Sequence, residues 1–176
     1  RAGLEGRALR PERLRDREKI SYVYLQTENG FPDVSSERIP TLFALDVKTG
    51  DLDKNGKQSI VFLETGQPGA LRICRRKEGK WVLSQLLPVI APKSPHIGKK
   101  INREILVKDL NGDGYPDIFA PSNGKQAEIF WNDKGEFSVK NRTVLDSENA
   151  FSADAGDLNK DGLTDLVVAN FSAVDQ

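Results

Sequence analysis

Three stretches of this chain carry an oxygen-bearing side chain at every second position and then reach a glycine. They are Asp51-Leu-Asp53-Lys-Asn55-Gly56, Asp109-Leu-Asn111-Gly-Asp113-Gly114 and Asp157-Leu-Asn159-Lys-Asp161-Gly162. Several hard oxygens within one short turn are the chemistry of a divalent cation, calcium above all. Magnesium fits less well, because it keeps its waters in a tight octahedron. Glycine at the sixth place suits a backbone of positive φ. A turn without metal is the plainer alternative, since Asp, Asn and Gly are ordinary turn residues. Against it, carboxylates gathered without a cation repel one another and raise each other's pKa.

The elements around the loops decide which kind of calcium loop this is. An EF-hand needs a bidentate Glu at position twelve between two helices. Position twelve here is Phe62, Ala120 and Val168. The loops lead into Ser59-Ile-Val-Phe-Leu, Asp117-Ile-Phe-Ala and Asp165-Leu-Val-Val-Ala, short branched apolar runs that read as buried strands. The loops therefore join strands. Side chains at positions one, three, five and nine and the carbonyl at seven form the expected ligand sets. These are Asp51, Asp53, Asn55, Lys57 (carbonyl) and Ser59; Asp109, Asn111, Asp113, Tyr115 (carbonyl) and Asp117; and Asp157, Asn159, Asp161, Leu163 (carbonyl) and Asp165. Affinity follows ligand charge. The first set has two carboxylates where the others have three, so two calcium sites and a weaker third are expected.

The pattern Asp-x-Asn-x-Asp-Gly-x-x-Asp followed by an apolar strand resembles the VCBS/FG-GAP repeat of integrin-α-like β-propellers, over roughly residues 20 to 176. The resemblance implies that each loop connects the first two strands of a blade and binds calcium. The Phe-Gly and Gly-Ala-Pro signatures are not visible, so the VCBS-like branch fits better.

The spacing agrees. From position 51 to 109 and from 109 to 157 the steps are 58 and 48 residues, near one four-stranded blade. Ala70 to Cys74 leads through Glu78-Gly79 to Trp81, and Ala127 to Trp131 leads through Asn132 to Gly135 and on to Phe137, each a hairpin with a glycine turn. Ile20 to Leu25, through Glu28-Asn29-Gly30 to Phe31, is a third. The expected organisation is an Arg-rich arm or linker at 1–18 and a half blade at 19–40. Blades at 41–98 and 99–147 carry the first two loops, and a half blade at 148–176 carries the third. The fold class is all-β, antiparallel. With no Met and a start at Arg1, the chain reads as a fragment of a larger, seven-bladed propeller.

Composition narrows the function. With 26 basic and 26 acidic residues, nothing draws the chain to nucleic acid. No apolar run spans a membrane. One cysteine, Cys74, excludes a disulfide framework and reads as a small core residue. His96, in a Pro/Gly-bearing connection, reads as a surface histidine rather than a catalytic one. Arg72, Arg75, Arg76 and Lys77 read as a solvated basic patch, and Phe31, Trp81, Trp131 and Phe137 as packing between blades. Asn141-Arg-Thr143 and Asn170-Phe-Ser172 are glycosylation sequons. Every clustered carboxylate is claimed by a loop, so intrinsic catalysis is not expected. The expected function is a noncatalytic, calcium-stabilised scaffold for protein binding, cell adhesion or glycan binding. Its compartment would be extracellular, cell-surface or periplasmic. The rest of the propeller or a neighbouring chain would cover its open edges. The alternatives are the propeller part of a secreted enzyme, such as a polysaccharide lyase, and a structural subunit of a larger assembly.

Overall fold

The structure is a computed structural model and describes residues 19–65, 69–90, 103–121 and 125–170. The arm at 1–18, His96 and the Phe171-Ser172 end of the second sequon lie outside them. Every described element is a strand, and every strand pairing is antiparallel.

The chain divides at Phe43 into two units. In the first, β1 (Lys19–Val23) pairs with β2 (Glu37–Thr41), Lys19 opposite Thr41 and Val23 opposite Glu37. Gly30 turns the chain as expected, closing a bridge to Thr27. The return strand, however, starts at Glu37 rather than at Phe31, which is 70% exposed.

The second unit holds two four-stranded sheets and a hairpin. The first sheet runs β3 (Ala44–Gly50), β4 (Ser59–Glu64), β5 (Ala70–Lys77) and β6 (Lys80–Pro88) in spatial order. The second runs β7 (Leu106–Lys108), β8 (Asp117–Ala120), β9 (Gln126–Phe130) and β10 (Arg142–Asp146). The hairpin is β11 (Ala150–Gly156) with β12 (Asp165–Asn170). Glu78 and Gly79, both at positive φ, make the two-residue β5–β6 turn in the left-handed geometry that matches strand twist. The matching turn in the second sheet closes a small Asp133–Glu136 bridge. Phe137 to Val139 then runs outside any strand, and the outer strand begins only at Arg142.

Two apolar layers hold the unit together. Leu52, Val61, Leu63, Leu71, Ile73 and Leu87 of the first sheet and its loop meet Ile105, Ile118, Ala120, Phe130 and Phe137 of the second. Phe119, Ala127 and Ile129, on alternate positions of β8 and β9, meet Ala150, Leu166 and Val168 of the hairpin. A strand buried on both faces has no room for polar alternation, which is why β4 and β8 are buried along their whole length. The first strands come closest: β7 lies beside both β3 and β11. A Cβ on Gly50 would lie 2.9 Å from Val107 Cγ1.

Candidate metal centre

The three acidic segments are the connectors of the three first-strand hairpins, at 51–58, 109–116 and 157–164. Each starts immediately after a strand and closes on an equivalent pair: Gly50 with Ser59, Lys108 with Asp117, Gly156 with Asp165. Position six has φ of 78, 85 and 87° at Gly56, Gly114 and Gly162. Position four is also left-handed, at 52° in Lys54, 79° in Gly112 and 65° in Lys160. The lysines accept a backbone that a side chain normally avoids, a shared constraint not legible in the sequence pattern.

The first Asp organises each loop through its own backbone. Its Oδ2 accepts the N–H of position six at 2.7 Å (Asp51), 2.7 Å (Asp109) and 3.0 Å (Asp157). Its Oδ1 accepts a second N–H, from Asn55, Gly112 or Asp161. The Oδ1 of position five accepts the N–H of Lys57, Tyr115 or Leu163 at 2.9, 2.7 and 2.8 Å.

Loops two and three agree further. Asn111 and Asn159 accept the N–H of Asp113 and Asp161 at 3.0 and 2.9 Å. Their Nδ2 groups donate to Oδ2 of the same aspartates at 3.0 and 2.9 Å. At position nine, Asp117 and Asp165 accept the N–H of Leu110 and Leu158 at 3.0 and 2.9 Å. Asp117 is fully buried, and its Oδ1 also accepts the N–H of Asn132 at 2.8 Å. Burial pushes the Asp117 carboxyl up; the two N–H donors pull it down, and the charges of Asp113 and Asp109 add a smaller upward push. Exposed Asp161 shifts the other way, lowered first by the Leu163 N–H and then by the Asn159 side chain.

Loop one departs from this pattern at two places. Ser59 is a buried strand residue at the start of β4. Asp53 turns out of the loop to a fork from Arg75, with contacts of 3.1 and 3.0 Å from Nε and 2.8 Å from Nη2. The solvated basic patch expected at Arg72, Arg75, Arg76 and Lys77 is therefore corrected at Arg72 and Arg75, while Arg76 and Lys77 are exposed. Arg72 pairs with buried Glu64 at 2.6 Å, Arg75 with Asp53, and Arg76 lies over the Trp81 ring.

Loops two and three carry oxygen donors only, and each carboxylate oxygen retains a lone pair beyond its backbone bond. That donor set fits a hard divalent cation. Among the described residues, no three Asp, Glu, His or Cys side chains are already drawn into a cage. The loop backbone is set, and the carboxylates rest on their own amides.

Asn132 carries no signal in the sequence beyond being a turn residue. It is buried, donating from Nδ2 to the carbonyls of Leu52 and Pro116 at 2.9 and 2.8 Å and accepting the Gly135 N–H at 2.6 Å. It ties the first loop to the end of the second. Cys74 is a buried core thiol, as its strand pattern implies, and burial pushes its pKa up.

Antiparallel sheets joined face to face, each entered through an acidic left-handed connector, define an all-β repeat protein. Residues 109–168, from the second acidic loop into β12, match the family model of the FG-GAP-like repeat. No curated protein and no solved structure matches the chain.

Proposed function

We propose that this chain is part of a calcium-braced β-propeller that acts as a noncatalytic binding scaffold. Loops two and three would be its calcium sites. The observation that carries the reading is the equivalence of Asp109, Asn111, Asp113 and Asp117 with Asp157, Asn159, Asp161 and Asp165, which share the bonds to positions two, five, six and seven of their loops. Asp109, Asn111, Asp113, Asp117 and the Tyr115 carbonyl would hold the ion in loop two, and Asp157, Asn159, Asp161, Asp165 and the Leu163 carbonyl in loop three, where it would supply the positive charge that balances their carboxylates. Bound to the folded chain alone, it stabilises the loop by mass action.

The propeller reading rests on the adjacency of β3, β7 and β11 and on the exposed face of the β11–β12 hairpin. Leu52 is fully buried at the second loop position and Val61 in the strand after it; their equivalents Leu158 and Val167 are 64% and 52% exposed. A further module of the same kind covers that face, supplied by the same protein or a neighbouring chain. The scaffold presents its connecting loops to a protein or glycan, in an extracellular, cell-surface or periplasmic setting where calcium is abundant. Titration calorimetry with calcium chloride, followed by melting with and without EDTA, tests this. Two binding equivalents and a calcium-dependent melting temperature are expected; no heat and no shift would overturn the reading.

A further inference from the structure

We propose that the first loop takes no divalent ion, and that the guanidinium of Arg75 serves as its fixed cation, making the joint between the two four-stranded sheets independent of calcium. The contrast with loops two and three rests on the calcium reading above; the joint itself does not.

The geometry is specific to this loop. Arg75 faces both oxygens of Asp53, donates from Nη1 to Ser84 Oγ at 2.6 Å, and donates from Nη2 to the carbonyl of Gly135 in the second sheet. One planar group therefore holds the loop, strand β6 and the β9–β10 connection at once, a geometry arginine can supply and lysine cannot. Asp53 is wedged as tightly: a Cβ on Gly135 would collide with its Oδ1. The residues on either side of Asp53 cross the same joint. The Leu52 carbonyl accepts from Asn132. Lys54 Nζ reaches the Asp113 carbonyl at 3.5 Å and lies 4.7 Å from the centre of the Tyr115 ring. Positions two to four are thus an interface rather than a cage, and one of the loop's two carboxylates, Asp53, is already neutralised.

The second sheet places a different group at this point. Cys74 pairs with Ile60 and Phe130 with Ile118, so the next residue, Arg75 in one sheet, is Trp131 in the other. Its indole N–H donates to Thr143, and Asn111 stays inside its own loop.

The test uses the whole 176-residue chain. In calcium titration calorimetry, Asp53→Asn is expected to bind as many equivalents as the parent; loss of one equivalent would overturn the proposal. In excess EDTA, Arg75→Met is expected to melt several degrees lower, and the double variant with Asp53→Asn at the same temperature as Arg75→Met. Melting of Arg75→Met with the parent in EDTA would sink it. Should Arg75→Met not fold, Asp53→Asn in EDTA carries the test, expected below the parent and fatal to the proposal if equal to it. A parent that binds no calcium at all removes the calcium reading and leaves the EDTA arm standing.

Discussion

Asn132 donates from Nδ2 to the carbonyl of Leu52, 2.9 Å away and in a different sheet. The same NH₂ group reaches the Pro116 carbonyl at the end of the second loop. A single buried amide thereby sets the spacing between two acidic loops.

Removing that amide leaves two carbonyls and the Gly135 N–H without their partner. Each orphaned buried group costs about 1–3 kcal/mol, so Asn132→Ala should destabilise by about 2–4 kcal/mol after partial relaxation. Asn132→Asp keeps the acceptor, loses both donors and adds a buried charge beside Asp117, so it should be at least as damaging. Urea unfolding at pH 7 checks both.

Calcium should stabilise through loops two and three separately. At a hundredfold excess over the dissociation constant each site adds about 2.7 kcal/mol. Asp109→Asn and Asp157→Asn should each delete one equivalent in calorimetry and roughly half the calcium-dependent rise in melting temperature.

Equivalent positions should respond unequally, because only some have a neighbouring sheet. Leu52→Ala should cost about 2–5 kcal/mol, as for a buried leucine, and Leu158→Ala no more than about 0.5 kcal/mol. Gly50→Ala forces Val107 aside and should cost about 1–3 kcal/mol. At Gly156 a Cβ meets nothing within 4 Å, so Gly156→Ala should be near neutral. Thermal melts of the four variants decide the matter.

Glu128 supplies a pH signature. It is fully buried between the Arg142 guanidinium at 2.7 Å and the Ile90 N–H at 2.5 Å. Burial raises its pKa above the ordinary glutamate value, and the Ile90 bond and Arg142 charge offset only part of that. A raised folded-state pKa means that the folded chain holds this proton longer than the unfolded one. Its contribution to stability is complete below the ordinary glutamate value and is lost as pH rises through the raised one. Glu128→Gln should flatten the stability curve across that window, and Arg142→Met should carry the loss to higher pH. Melting temperature against pH in EDTA measures both.

Much of this protein is readable from local pattern. The all-β class, the strand after each loop, the glycine turns at Gly30, Gly79 and Gly135, and the repeat of the loops all obey short-range rules. Oxygens two residues apart, a glycine that permits positive φ and a branched apolar run need no knowledge of the rest of the chain. The return strands Glu37–Thr41 and Arg142–Asp146 are not legible in this way, because an aromatic after a turn marks a strand only when sheet packing asks for one there. The roles of Asp53, Arg75 and Asn132 are settled only in three dimensions. Asp53 has the same spacing as its counterparts, and it is drawn out of the loop by a guanidinium from strand β5, 22 positions later. Sequence spacing sets which oxygens can converge; the sheet beside them decides which are already taken, since a carboxylate pairs with whichever cation the packing brings within reach.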